Sequence, residues 1–80
     1  MSDEVIESLR EAAHYAMDIT RQEFKPVVTI EIDVIGITVR VGRRGREVCR
    51  SASWSELRGA KFKTLRHQID AAVATFERSL

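Results

Sequence analysis

Residues 27–51 read VVTIEIDVIGITVRVGRRGREVCRS, and the alternation in this stretch decides the fold. Val28, Ile30, Ile32 and Val34 alternate with Thr29, Glu31 and Asp33, the two-residue period of a strand buried on one side. After Gly36 the phase flips: Ile37, Val39 and Val41 are apolar, while Thr38 and Arg40 are polar. A flip needs a turn or a bulge. A loop of Asp33-Val34-Ile35-Gly36, with Gly36 in the left-handed conformation, pairs Ile32 with Ile37 and Ile30 with Val39. All four then share one face, as register demands, and Val34 and Ile35 stand at an exposed tip. The competing reading is one long strand with a bulge at Gly36; the hairpin is preferred. At the second turn, a four-residue loop Gly42-Arg43-Arg44-Gly45 pairs Arg40 with Glu47 and Val39 with Val48. That register turns Cys49 outward beside Thr38. A one-residue slip would bury it, the usual fate of a free cysteine, so the side it faces stays open.

A helical segment on each side has one apolar stripe that needs a surface to cover. Upstream, Val5, Ile6, Leu9, Ala12, Ala13, Ala16, Met17, Thr20 and Phe24 recur at three- and four-residue steps. Ser2 or Asp3 can cap this helix, and Asp3, Glu4 and Glu7 suit the positive end of its dipole. Tyr15 and Ile19 flank the stripe, where they widen the buried face or meet a partner. Pro26 stops the helix and pushes Lys25 toward extended geometry. Downstream, Ser53 and Glu56 have capping-box spacing, and Phe62, Leu65, Ile69, Ala72, Val73, Phe76 and Leu80 form a second stripe. Leu57 lies off that stripe, which predicts a short turn at 54–58, a break near Gly59 and a helix over about 60–79. The expected elements are therefore a helix at about 3–24, strands at about 27–33, 37–42 and 46–51, and the last helix. They make a single α+β domain over 1–80, with both helices on one face of a three-stranded antiparallel sheet. The expected core holds Val5, Leu9, Ala13, Ile30, Ile32, Val39, Val48, Phe62, Leu65, Ile69 and Phe76.

Eighty residues allow one domain with a thin core. The acidic N-terminus, Met1-Ser2-Asp3-Glu4, lacks the apolar core of a secretory signal, and no apolar run is long enough to span a membrane. One cysteine makes no internal disulfide, which fits a reducing cytoplasm. The net charge of +1 hides a split. Residues 1–33 carry eight acids against three bases, net −5, and residues 40–66 carry nine bases against two acids, net +7. Such asymmetry suggests a charged partner or two like subunits meeting head to tail; the other reading is that the halves neutralise each other on folding.

Signals for catalysis are poor, and the chain is read as a non-enzyme without metal or cofactor. His14 and His67 lie on polar helix sides without partners at metal-ligand spacing, and Cys49 has no nearby Cys or His. Glu7 with Glu11, and Glu31 with Asp33, are carboxylate pairs on exposed faces, where nothing suggests the burial that acid-base work needs. Gly42-Arg43-Arg44-Gly45 precedes no helix N-terminus, so it is no phosphate loop.

Two binding surfaces remain. Arg43, Arg44 and Arg46 crowd a hairpin tip, and Arg58, Lys61, Lys63 and Arg66 lie at the start of the last helix; together they suit phosphates. Asp3, Glu7, Glu11 and Asp18 form an acidic helix stripe, and Val34 and Ile35 add an aliphatic tip; these suit a protein. Carboxylates on a rigid helix can engage lysines and arginines that normally grip DNA, and so block DNA by competition. The sequence does not choose between the two sets.

In topology, α-β-β-β-α over essentially its whole length, the chain resembles the double-stranded-RNA-binding domain, whose first hairpin loop and second-helix start contact RNA. The sequence departs from that family at Gly59-Ala60-Lys61-Phe62-Lys63, where the family has KKxAK, and at Val34-Ile35, where it has a histidine. In overall character the chain looks like the small phage-encoded anti-CRISPR proteins: short, α+β, without a catalytic motif, and charge-patterned. That resemblance carries over no residue. It implies a cytoplasmic inhibitor that binds a type I CRISPR surveillance complex (Cascade-type) and prevents target DNA from entering. The alternatives are a nucleic-acid-binding module that contacts DNA or RNA, and a homodimeric phage regulatory protein joined through an uncovered edge strand or the Tyr15–Ile19 flank.

Overall fold

The computed structural model describes residues 3–57 and 61–79. Along the chain run α1 (Asp3–Arg21), β1 (Val27–Ile32), β2 (Gly36–Arg43), β3 (Arg46–Ser53) and α2 (Phe62–Arg78), the expected α-β-β-β-α order of an α+β fold. The strands form one antiparallel sheet in the order β1-β2-β3. α1 packs on β1, α2 packs on β2 and β3, and the helices pack on each other. A single core lies between the layers, centred on Val39, Val41, Leu65, Ile69 and Phe76. Each such side chain contributes about 1.5–3 kcal/mol by leaving water.

The first hairpin has the expected register, with Ile32 opposite Ile37 and Ile30 opposite Val39. Val34 and Ile35 stand out at its tip, 94% and 73% exposed. The left-handed Gly36 is corrected, because the only glycine with positive φ among the described residues is Gly45. Gly36 is required by crowding instead. A Cβ there would lie 2.0 Å from the Ala52 carbonyl oxygen and 2.7 Å from the Ser53 Cα. Asp33 supplies the sharp bend: its Oδ1 accepts the backbone N–H of Ile35 (2.8 Å) and of Gly36 (2.9 Å).

The second hairpin is tighter than expected. Its turn has two residues, Arg44 and Gly45, with φ of 53° and 81°, the primed turn whose twist matches the strands it joins. The pairs are Arg43 with Arg46, Val41 with Val48 and Arg40 with Cys49, rather than Arg40 with Glu47 and Val39 with Val48. This is a slip of two residues, so every side chain keeps its face: Val48 stays inward, and Cys49 points outward and is exposed.

α1 ends at Arg21, three residues earlier than expected. Pro26 forces Lys25 to extend, so the closing turn falls at 22–24. There Lys25 donates to the Gln22 carbonyl (3.2 Å), and Phe24 takes φ 70°. The buried stripe is Leu9, Ala12, Ala16 and Ile19 with Val5 and Tyr15 partly covered, while Ile6, Ala13 and Met17 face out. Ala13 therefore leaves the expected core, since the adjacent stripe offers the larger Ile19 to the sheet. Ile32, at the end of an edge strand, leaves it too, 51% exposed. Thr20 staples the helix to β1: its Oγ1 donates to the Ala16 carbonyl (2.8 Å) and accepts the Val28 N–H (3.0 Å).

The Ser53–Glu56 cap is present, with the Glu56 N–H on Ser53 Oγ (3.3 Å) and Ser53 Oγ on Glu56 Oε1 (3.2 Å). It closes a turn that buries Leu57. The expected break near Gly59 and the Ser2 cap lie outside the described residues.

Candidate functional site

Helical geometry places Asp3, Glu7, Glu11 and Asp18 within about 80° of one another around α1, with Glu7 and Glu11 about 6 Å apart along the axis. All four are exposed. Glu7 pairs with Arg10 at 3.3 Å. The carboxylates of Asp3, Glu11 and Asp18 have no partner among the described residues, and His14 lies on the same side. The ion pairs of the described residues join Glu7 to Arg10, Glu77 to Lys25, Glu31 and Glu47 to Arg40, and Asp70 to Arg66. Only Glu31 with Arg40 joins the acidic half to the basic half among the described residues, and none of these pairs joins an α1 carboxylate to a base of residues 40–66, so the charge of α1 is not neutralised by that half.

The aliphatic tip is held firmly. The Trp54 backbone N–H donates to the Ile35 carbonyl (2.9 Å), and its indole Nε1–H donates to the Asp33 carbonyl (3.0 Å). With the Asp33 bend, these bonds fix a loop whose two largest apolar side chains face water.

The basic candidates among the described residues do not form one surface. Lys61 and Lys63 lie at the start of α2, exposed and with no carboxylate in its first turn. Arg43, Arg44 and Arg46 lie by its far end, about 25 Å away along a 17-residue helix. Arg58 lies outside the described residues. Arg66 is engaged: its Cζ sits 4.9 Å from the Tyr15 ring centroid, and its Nε is 3.6 Å from Asp70. Tyr15 packs edge-on against Phe62, centroids 6.1 Å apart, and donates its hydroxyl to Asp70, which raises the Tyr15 pKa. The Tyr15–Ile19 flank is thereby used inside the molecule.

The sheet face away from the helices is polar. Arg40 sits at its centre, with Nε on Glu31 (2.7 Å) and Nη1 on Glu47 (3.0 Å), and these carboxylates raise its pKa further. Arg40 also reaches the Cys49 sulfur (3.2 Å), and the thiol donates to Glu47 (3.3 Å), which pushes the Cys49 pKa up.

Sequence reasoning missed one residue. Helical spacing puts Phe24 on the buried stripe, yet it is 79% exposed and lines an open cleft of about 340 Å³ with Pro26, Arg43, Arg44, Arg46, Phe76 and Glu77. The signal was Pro26, which ends the helix early and carries Phe24 off the stripe. Arg46 donates to the Ser79 carbonyl, and Lys25 holds Glu77 at 3.2 Å. Arg43 and Arg44 have no partner among the described residues. Among those residues, no helix is long and apolar enough to cross a membrane. Comparison with protein families, with curated proteins and with solved structures finds no match to this chain.

Proposed function

We propose that the chain acts by stoichiometric binding without turnover, as an inhibitor that covers a DNA-gripping surface of a type I CRISPR surveillance complex and keeps target DNA out. The observation that supports this reading is the acidic face of α1. Asp3, Glu11 and Asp18 stay exposed and unpaired among the described residues, although the same chain carries thirteen lysines and arginines. Carboxylates held at fixed spacing on a rigid helix present basic surfaces with the charge that phosphates would bring. The aliphatic tip adds an anchor that leaves water on contact. The choice of complex comes from the overall resemblance to small phage inhibitors. The test measures target-DNA binding by a purified type I surveillance complex as the protein is titrated in. DNA binding is expected to disappear near one equivalent, and Glu7→Arg with Glu11→Arg to weaken inhibition at least about tenfold. Unchanged DNA binding at a large excess of protein would refute the proposal.

A second reading, a nucleic-acid-binding module, is favoured by one observation: Arg43 and Arg44 are unpaired beside an exposed aromatic ring. A gel shift with generic single- and double-stranded probes discriminates, since phosphate contacts weaken steeply with salt. Arg43→Glu with Arg44→Glu abolishes such binding and leaves the inhibitor reading untouched.

A further inference from the structure

We infer that the cleft between the β2–β3 hairpin tip and the C-terminal ends of the two helices is a binding site for a nucleobase joined to a phosphate, with the base on the Phe24 ring and the phosphate between Arg43 and Arg44. The inference rests on the second reading above, whose arginines it uses, and narrows it to one site and one ligand chemistry.

Three independent features converge there. The first is Phe24 itself. It follows α1 in the left-handed conformation, φ 70°, where helices usually place glycine because a Cβ is strained. It is also 79% exposed, so little packing compensates the strain. A bulky apolar residue held in a costly conformation and facing water is a poor choice for folding. Such outliers mark places where the side chain has another task. The second feature is charge. The lining holds three arginines and one carboxylate. The two groups that would repel an anion are already occupied: Lys25 sits on Glu77, and Arg46 sits on the carbonyl of Ser79 at the negative end of α2. Arg43 and Arg44 therefore keep their charge for a ligand. The third feature is shape. The cleft holds about 340 Å³, within the range of small-ligand pockets, over a floor of Pro26 and Phe76 that is apolar and buried. A flat apolar ring beside two planar guanidinium forks matches a ligand with a planar face and a phosphate. An acidic peptide would satisfy the arginines and leave Phe24 bare.

The test uses the full chain and a fluorescent short oligothymidylate, followed by anisotropy at low and moderate salt. Phe24→Gly is the informative variant. It removes the ring and relieves the backbone, so its melting temperature is expected to stay level or rise while affinity falls about tenfold. Arg43→Glu with Arg44→Glu is expected to abolish binding. ADP as a competitor separates the sources of the ligand: displacement means that the site takes free nucleotides, and none means that it needs a strand. Polyglutamate should not compete. Wild-type affinity in Phe24→Gly overturns the inference and leaves the arginine reading standing. Failure of the wild-type protein to bind either probe overturns both, and displacement by polyglutamate assigns the cleft to acidic protein instead.

Discussion

Replacing Gly36 by alanine tests the account of the first hairpin most directly. The added Cβ would lie 2.0 Å from the Ala52 carbonyl oxygen, whereas ordinary contact starts near 3.4 Å, so β2 and β3 must part by more than 1 Å at this point. Both atoms it meets first belong to the backbone, and no side chain can swing aside. Parting the strands there breaks the bond from the Trp54 N–H to Ile35 and strains that from its indole to Asp33. Two such bonds are worth about 1 kcal/mol each, and alanine returns about 0.4–1 kcal/mol by restricting the unfolded chain. With the strain of the displaced backbone, the net loss is about 1–3 kcal/mol. For 80 residues, 1 kcal/mol corresponds to about 6 °C, so the melting temperature should fall by about 6–18 °C. Circular dichroism reads the melting curve, and emission from Trp54, the single tryptophan, reports the loop itself. Gly36→Asn separates crowding from conformation: asparagine accepts the left-handed region readily, so it would be tolerated if a positive φ were the requirement. Here it should cost at least as much as alanine. A melting temperature within about 2 °C of wild type for either variant would refute the steric argument.

Two titrations probe the remaining contacts. Tyr15 is the single tyrosine, and its hydroxyl should ionise above the ordinary 10.0, chiefly because it donates to the Asp70 carboxylate. The stability from that contact is present at neutral pH and is lost as pH rises through the elevated pKa. Absorbance during alkaline titration should show Asp70→Asn moving the midpoint back down, and an unmoved midpoint would remove Asp70 as the cause. Cys49 is exposed, yet its thiol is held protonated chiefly by its bond to Glu47, so alkylation near pH 8 should be slower than in the unfolded chain. Glu47→Gln should accelerate it; equal rates in the two proteins would contradict the contact.

The order and type of the five elements were legible because alternation in residues 28–41 and helical spacing on either side agreed with each other. Two details were not. In the sequence, the charge match of Arg40 with Glu47 favours direct pairing and hence a four-residue loop in place of the turn at Arg44-Gly45. The long arginine side chain reaches Glu47 on the diagonal just as well, which frees the backbone to take the tighter turn. The α1 stripe is legible at Val5, Leu9, Ala12 and Ala16, but its buried side turns toward the Tyr15–Ile19 flank, because two apolar edges compete and only the sheet decides that Ile19 rather than Met17 turns inward. The acidic stripe and the aliphatic tip were visible in the sequence, since exposure there follows from local pattern. The cleft was not, because Phe24, the hairpin arginines and Phe76 meet only through the fold.

The two borders of the sheet differ in how they are defended. On β1, Thr20 occupies the outward amide of Val28. On β3, Arg46 and Arg50 project on the helix side of the strand, and Arg50 is tethered to Gln68 at 2.6 Å. A fourth strand added at β3 would have to desolvate those guanidinium groups, and one added at β1 would have to displace the threonine. Growth of the sheet from molecule to molecule is thus discouraged at both margins, and concentrated solutions should stay free of fibres. Surfaces that need no free strand edge, such as the outer flank of α1 with Ile6 and Met17 or the tip with Val34 and Ile35, remain exposed for pairing two copies.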